Sequence, residues 1–249
     1  MAWHIYGRYP IQEFLKLHPD QAVCLWYLDQ TDLVALSLPK TCSQRKAESH
    51  SALARQFRLK EFESHQGLIL EIKRPIHDYV QESVEELIQH SSASRKHLIW
   101  LPSIQDGHNL GAVSRNCLAF EQIYGLILPA KSGPKLIPAV AKVSAGSLFH
   151  LHFGYSTNHA RTLQTLKLSN IYLIALQNKS EAIKLNRFEF PLDSTIVFIL
   201  GDEEKGVPRE ILKATDHCLA IPQSDRIDSL NLSVASGILL YELFNSIKS

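Results

Sequence analysis

Short apolar runs alternate with longer stretches that carry apolar residues on one side along most of this chain. The later runs HLIWLPS, IYGLILP, SLFHLHFG, IYLIALQ, TIVFILG and HCLAIP are typical of buried strands. The stretches between them, such as LGAVSRNCLAFE and ARTLQTLKLS, have the length and spacing of helices, and the chain ends in the helical pattern LNLSVASGILLYELFNSI. This alternation predicts an α/β fold with a mostly parallel sheet and helices on both faces.

The earlier part of the chain divides into two regions of different character. One helical pattern and two apolar runs predict a small α/β domain over residues 1–73. Residues 74–96 are polar, begin beside the structure-breaking Pro75 and end in SSASRK, which predicts a linker with a helix in its middle. The sheet domain then occupies residues 97–249.

The composition is that of an ordinary globular protein, with 45% hydrophobic and 20% charged residues. No run approaches the roughly 18 apolar residues of a membrane span, and the N-terminus lacks the features of a secretory signal. We therefore expect a cytoplasmic protein without a membrane partner. The four cysteines form no C-x-x-C pair, so we expect neither a disulfide framework nor a metal site: Cys24, Cys42, Cys117 and Cys218.

The formal net charge of only +1 gives no whole-chain signal of nucleic-acid binding, but the charge is unevenly spread. The segment 40–60 contains six basic residues and one acidic residue, a local net charge of +5. Such a patch can neutralise RNA phosphates, and it can equally be a solvated face. Arg45, Lys46 and Arg55 are the candidate RNA contacts.

A first cluster of polar residues, DGHNLGAVSRN, opens the helix after the first strand of the predicted sheet. Gly107 and Gly111 allow a tight turn and a close backbone approach. Asn109 fits the N-cap of that helix. Arg115 lies in an apolar segment, so we expect it to need an anionic partner, either an internal carboxylate or a bound phosphate.

Two more clusters follow later strands of the predicted sheet. The first, GDEEKGVP, begins at Gly201 and is either a hairpin loop or part of a site; it is not a P-loop, because Val207 replaces the lysine of that motif. The second, IPQSDRIDSLNLS, leads into the final helix, where Ser229 and Asn231 fit helix capping as well as a functional role.

Taken together, N-L-G-x-x-x-R, G-x-E-x-x-G and I-P-x-x-x-x-x-x-S-L-N-x-S-x-A resemble the three motifs of the SpoU/TrmH RNA 2′-O-ribose methyltransferases. KVSAG at 142–146 is similar to a further stretch of that family. Tyr6-Gly7-Arg8 and the segment SHQG at 64–67 resemble its ribosomal-protein-L30-like substrate domain. The layout is most similar to the 23S rRNA guanosine enzymes.

This resemblance implies a catalytic domain with a C-terminal trefoil knot, an RNA substrate, S-adenosylmethionine as cofactor, no metal, and a homodimer formed through the last helix. The implied catalytic residues are Asn109, Arg115, Glu203, Ser229 and Asn231. The implied cofactor-binding residues are Leu176, Gln177, Leu200, Gly201, Ile221, Pro222, Ser229, Leu230 and Asn231. Arg115 is expected to hold the target phosphate and to stabilise the developing alkoxide. A role as general base is not expected, because a guanidinium stays protonated in proteins and so cannot accept a proton. Glu203 is expected to orient Arg115.

Two positions depart from the family pattern. Glu204 stands where the family commonly has glycine, and Gly107 stands where proline is common. Three alternatives stay open at this stage: a tRNA ribose methyltransferase, an RNA-binding protein of the same fold without catalysis, and an NAD-dependent dehydrogenase. The last is disfavoured, since no G-x-G-x-x-G follows the first strand. The motifs do not specify which RNA or which nucleotide is modified.

Overall fold

The computed structural model describes residues 3–34, 36–59, 65–178, 181–202, 205–224 and 226–248. The chain forms two compact units. Unit 1 comprises Met1–Val80 and Leu136–His150, and unit 2 comprises Gln81–Lys135 and Leu151–Ser249. Among the described helices, none combines the length and the apolar character that a membrane crossing requires.

Unit 1 is built on a four-stranded sheet in the order β1-β4-β2-β3, in which β4 is antiparallel to β1 and β2, and β3 is parallel to β2. Its strands, numbered along the chain, are β1 (Trp3–Tyr6), β2 (Ala22–Tyr27), β3 (Ser43–Lys46) and β4 (Leu68–Ile72). Its helices are α1 (Arg8–Leu17), α2 (His50–Phe57), α3 (His77–Val80) and α6 (Pro138–Val143).

The helices of unit 1 form where apolar residues recur on one side. In α1 the buried residues Pro10, Ile11, Phe14 and Leu15 follow helical spacing. In α2, Leu53 packs with residues of β1 and β4, and the Ser49 side chain caps the helix by accepting a hydrogen bond from the backbone N–H of Ala52.

Unit 2 contains a seven-stranded sheet in the order β7-β6-β5-β10-β8-β11-β9, and every neighbouring pair is parallel. This confirms the predicted α/β class with a parallel sheet. The strands are β5 (His97–Trp100), β6 (Ile123–Pro129), β7 (His152–Ser156), β8 (Tyr172–Leu176), β9 (Ile183–Lys184), β10 (Ile196–Leu200) and β11 (His217–Ala220). The helices are α4 (Val84–Ala93), α5 (Gly107–Phe120), α7 (His159–Leu168), α8 (Arg209–Leu212) and α9 (Leu232–Lys248).

Helix α4 lies within the segment 74–96, which the sequence predicts to be a linker. Its residues Val84, Leu87 and Ile88 instead belong to the main hydrophobic core of unit 2, together with residues of β5, β8 and β10. A capping box between Ser83 and Glu86 fixes its first turn. The segment is therefore a packed part of unit 2 over most of its length.

The segment 136–150 also departs from the predicted domain boundaries, because it groups with unit 1 although the sequence assigns it to the region 97–249. One contact between this segment and α1 is the hydrogen bond of His150 Nε2 with Glu13 Oε2, at 2.8 Å. The predicted functions of the domains, substrate binding for residues 1–73 and methyl transfer for residues 97–249, stay predictions.

Candidate functional site

A cleft opens where the loops after three neighbouring strands of unit 2, β8, β10 and β11, come together with the start of α9. Its volume is about 310 Å³, at the lower end of the range for small-molecule sites. In parallel α/β sheets, ligands bind beyond the carboxyl ends of the strands, and this cleft has that position. It is lined by Leu176, Gln177, Asn178, Leu200, Gly201, Asp202, Lys205, Gly206, Ile221, Gln223, Asp228, Ser229, Leu230, Leu232 and Ala235.

The loop after β10 folds back tightly on itself. The backbone N–H of Gly206 donates to the carbonyl of Asp202 at 3.0 Å, and these two residues form an isolated antiparallel bridge. Gly206 has φ +64°, a conformation that favours glycine. A Cβ on Gly201 would approach the carbonyl group of Gly206 closer than 3.0 Å, so glycine is required there to close the loop.

Seven of the nine predicted cofactor-binding residues line this cleft, namely Leu176, Gln177, Leu200, Gly201, Ile221, Ser229 and Leu230. Pro222 and Asn231 are absent from the lining. Sequence reasoning missed Asp202 and Lys205, which lie at unspecified positions of the second motif, and Leu232, which lies at an unspecified position of the third. A motif names the residues that a family shares, so it gives no signal for variable positions that line the same cleft.

The lining combines apolar walls with a few polar groups. Leu176, Leu200 and Ile221 offer surfaces suited to the faces of an aromatic base. The Oε1 atom of Gln177 is buried and has no hydrogen-bond partner among the residues that the structure describes. Asp202, Lys205 and Asp228 are charged residues of the same lining. These residues fit a ligand that combines an aromatic base with polar or charged groups.

Two of the predicted catalytic residues, which lie far apart in sequence, meet in the structure. The Nδ2 atom of Asn231 donates to Oδ1 of Asn109 at 3.2 Å. Asn231 lies between two cleft-lining residues, Leu230 and Leu232, and its Oδ1 accepts hydrogen bonds from the backbone N–H and the hydroxyl of Ser233 at 2.9 and 2.6 Å. Asn231 therefore caps α9, holds the first motif against the third and remains beside the cleft.

The interpretation of Asn109 as a helix cap is wrong. Helix α5 begins at Gly107, and its N-cap is Asp106, whose side chain accepts a hydrogen bond from the backbone N–H of His108 at 2.8 Å. Asn109 is thus inside the first turn, where its side chain is available for the contact with Asn231.

The environment of Arg115 differs from the one that its apolar sequence neighbours suggest. Its side chain is exposed on α5, and the described part of the chain places no carboxylate within salt-bridge distance of it. Because the guanidinium is exposed, burial does not oblige it to pair with an internal anion. Glu203 and Glu204 lie outside the described residues, so the expected pairing of Arg115 with Glu203 and the question of strain at Glu204 stay predictions.

The candidate RNA-binding residues lie on the surface of unit 1. All four residues of β3, including Arg45 and Lys46, are exposed on an edge strand, and Arg55 is exposed on α2. The guanidinium of Arg45 lies 5.3 Å from the centre of the Trp26 ring. Charged residues on an edge strand also prevent pairing with other chains, so exposure alone does not decide between the two interpretations.

The architecture and the cleft define an α/β protein with a cleft of small-molecule size at the ends of parallel strands. The sequence profile of the SpoU rRNA Methylase family matches residues 96–241, more than half of the chain. The chain belongs to this family, which confirms the resemblance seen in its three motifs.

Curated relatives extend the similarity to nearly the whole chain. It is 27% identical to the 23S rRNA (guanosine-2′-O-)-methyltransferase RlmB of Pseudomonas syringae, over 96% of this chain and 93% of that protein. It is 28% identical to the enzyme of the same name from Acinetobacter baylyi, over 96% and 95% of the two chains.

Solved structures share the fold. A putative RNA methyltransferase of the TrmH family from Porphyromonas gingivalis aligns with a TM-score of 0.73 at 22% identity, over 97% of this chain and 88% of that one. The SpoU methyltransferase AviRb of Streptomyces viridochromogenes, in complex with its cofactor AdoMet, aligns with a TM-score of 0.73 at 17% identity, over 100% and 91%. At these identities the likeness concerns the fold alone.

Proposed function

We propose that this protein transfers a methyl group from S-adenosylmethionine to a ribose 2′-hydroxyl in RNA, and that its substrate is a guanosine of 23S rRNA. The observation that carries the proposal is the cleft at the strand ends, with the Asn109–Asn231 contact beside it. Family membership and the relatives named for guanosine 2′-O-methylation support the reaction and the substrate. Such a reaction takes place in the cytoplasm.

The proposed cofactor fits the cleft by its chemistry. S-adenosylmethionine supplies a methyl group activated by a positive sulfonium. The apolar residues Leu176, Leu200 and Ile221 would contact the adenine, and the charged residues Asp202, Lys205 and Asp228 would lie near its polar groups. The residues predicted to bind it are the seven in the lining together with Pro222 and Asn231. We further propose that this part of unit 2 has the trefoil knot of the family, and that unit 1 is its L30-like substrate domain.

The catalytic residues act on the RNA. Asn109, Ser229 and Asn231 would position the target ribose, because amide and hydroxyl groups can both donate to and accept from a sugar hydroxyl. Alignment of the hydroxyl with the methyl group accounts for several kcal/mol of catalysis in reactions of this kind. Arg115, exposed in the free protein, would hold the phosphate beside that ribose, and Glu203 would orient the arginine.

Transfer of labelled methyl groups from S-adenosylmethionine tests the proposal directly. We expect label in an unmodified 23S rRNA transcript, with the modified position mapped as a 2′-O-methylguanosine. Label in tRNA alone would identify a tRNA ribose methyltransferase. Cofactor and RNA binding without transfer would identify a catalytically silent RNA-binding protein.

Reversal of charge at the basic surface of unit 1 is expected to weaken RNA binding. The triple substitution R45E/K46E/R55E removes up to three phosphate contacts, so the slope of log affinity against log salt should fall by roughly two units. Binding of S-adenosylhomocysteine should not change. Filter binding of RNA at several salt concentrations provides the measurement.

The matched control reverses three exposed basic residues of unit 2, Lys167, Arg187 and Lys213, which gives the same change in net charge. If both triple variants lose RNA affinity equally, the effect is one of net charge. If the unit 1 variant keeps its affinity, its basic surface is only a solvated face.

We also propose that the protein is a homodimer formed through the exposed apolar face of α9. The small residues of α9 pack within the chain, since Asn116 Nδ2 on α5 donates to the carbonyl of Ser233 and to Ser236 Oγ at 2.7 and 3.0 Å. The remaining exposed apolar face contains Val234 and Tyr241, which are seven residues apart and therefore on one side of the helix.

Lysine at Val234 and Tyr241 should therefore convert a dimer into a monomer at micromolar concentration, as measured by light scattering. Lysine at Leu168, an exposed apolar residue of α7, serves as the control and should leave the mass unchanged. A wild-type protein that is monomeric under these conditions contradicts the proposal.

A further inference from the structure

The side chain of a lysine in unit 1 lies in a slot, the space beside Gly7 that a Cβ on that glycine would fill. Lys142 on α6 extends over Gly7, which precedes α1 and has φ +89°. A Cβ at Gly7 would lie 2.6 Å from Lys142 Nζ and 2.8 Å from Lys142 Cδ. The positive φ favours glycine at this position, and the lysine side chain occupies the space that a Cβ would fill.

The ammonium group in this slot is poorly compensated. Burial lowers the pKa of Lys142, and desolvation is the cause, with no carboxylate of the described residues contributing. The carboxylates on or near α1 have other partners: Glu13 pairs with Lys16 at 2.6 Å, and Asp32 pairs with Arg8. A partly buried cation without a counter-ion is costly, and a lysine on the surface normally avoids that cost by extending into water.

The described polar neighbours of Lys142 supply no negative charge either. The Gln66 Oε1 atom, which is close to the same slot, accepts a hydrogen bond from the backbone N–H of Arg8 at 3.1 Å. The pKa of His65 is lowered by burial, by the nearby His50 and by Lys142 itself, and its Nδ1 accepts from the N–H of Gly67 at 3.2 Å. His65 is therefore a neutral structural group, and Lys142 is the cation that the slot presents.

From this arrangement we propose that Lys142 binds a phosphodiester group of the substrate RNA. The proposal rests on the proposed function, and it adds a phosphate contact separate from the three exposed basic residues of β3 and α2. A phosphate would supply the missing negative charge and accept hydrogen bonds from the ammonium group. The fixed path of the side chain over Gly7 reduces the conformational entropy that Lys142 loses on binding.

The test replaces Lys142 by methionine, which keeps most of the aliphatic length over Gly7 and removes the charge. K142M should bind an unmodified 23S rRNA transcript about five- to tenfold more weakly at about 0.15 M salt. Loss of a single phosphate contact should also reduce the slope of log affinity against log salt by roughly 0.7–0.9. Affinity for S-adenosylhomocysteine should stay within twofold, which excludes the carboxylate of the cofactor as the bound anion.

Two further variants separate charge from structure. K142R keeps the charge and should retain at least half of the wild-type RNA affinity. K16M removes an exposed lysine of the same unit that already pairs with Glu13, and should have no effect. Unchanged affinity and slope in K142M overturn the proposal, and so does an equal loss in K142M and K142R. If the wild-type protein binds no RNA, the proposed function itself is overturned. That outcome is distinct from one in which the wild type binds RNA and K142M binds it equally well.

Discussion

Substitution of Arg115 by alanine is expected to reduce methyl transfer by a hundredfold or more and to leave S-adenosylhomocysteine affinity within a few-fold of wild type. The arginine is exposed, and no described carboxylate pairs with it. Its guanidinium is therefore free to bind the RNA without first breaking a described ion pair. Removal of one preorganised donor to a developing negative charge costs about 10²–10³ in rate in other enzymes.

The exposed position of Arg115 also predicts that its substitution has a small effect on stability. An exposed side chain away from packed features contributes little to stability, so Arg115→Ala should unfold at nearly the wild-type temperature. Arg115→Lys should restore little activity, because a point charge does not reproduce the planar fork that grips a phosphate with two hydrogen bonds. Exposed Arg161 on α7 offers a matched alanine control.

Single-turnover rates at saturating RNA and cofactor separate the two possible roles of Arg115. A fall in the rate of transfer places the arginine in the reaction step, whereas a change only in the RNA concentration needed for saturation places it in binding alone. A rate reduced less than about fivefold, with an unchanged RNA concentration for saturation, would show that Arg115 has neither the clamping nor the stabilising role.

The fold class could be predicted from the sequence because strand residues in a parallel sheet are buried on both faces. The runs LIW of β5 and IVFIL of β10 are continuous apolar segments for that reason, and all their residues are buried. The division into units could not be predicted. Helix α4 is short and polar on one side, so it looks like a linker until its partners in the core are known.

The location of the cleft was predictable from strand ends and motifs, but individual contacts were not. Spacing alone does not show that Asp106 rather than Asn109 caps α5, since either residue type suits the position. It also does not show that Arg115 faces water. The seven lining residues shared by the prediction and the structure come from three loops that only the sheet order brings together.

The small residues of α9 show another limit of prediction from the sequence. Ser233, Ser236 and Gly237 permit close approach of another helix, but the sequence does not say whether that helix belongs to the same chain. In the structure the partner is α5, through Asn116. The prediction of a dimer therefore has to rest on the outer face of α9, which contains Val234 and Tyr241.

Alanine at Gly201 is expected to abolish binding in the cleft, with at least a hundredfold loss of affinity for S-adenosylhomocysteine. The added Cβ would meet backbone atoms of Gly206 and Val207 closer than 3.0 Å. Backbone atoms in a loop closed by the Gly206 N–H to Asp202 carbonyl hydrogen bond cannot move aside as a flexible side chain could. The loop must therefore open, and Gly201, Asp202, Lys205 and Gly206, which all line the cleft, change position together.

The rest of the protein should tolerate this substitution. RNA binding through the basic surface of unit 1 should remain within twofold of wild type, and a cooperative thermal unfolding transition of the variant should show that unit 2 is folded. Gly237→Ala is the matched control, because a Cβ there lies 3.3 Å from the Asn116 side chain and needs only a small adjustment, while alanine favours the helix. Isothermal titration of both variants with S-adenosylhomocysteine provides the measurement. If the affinity of Gly201→Ala lies within fivefold of the wild-type affinity, the cofactor does not occupy this cleft.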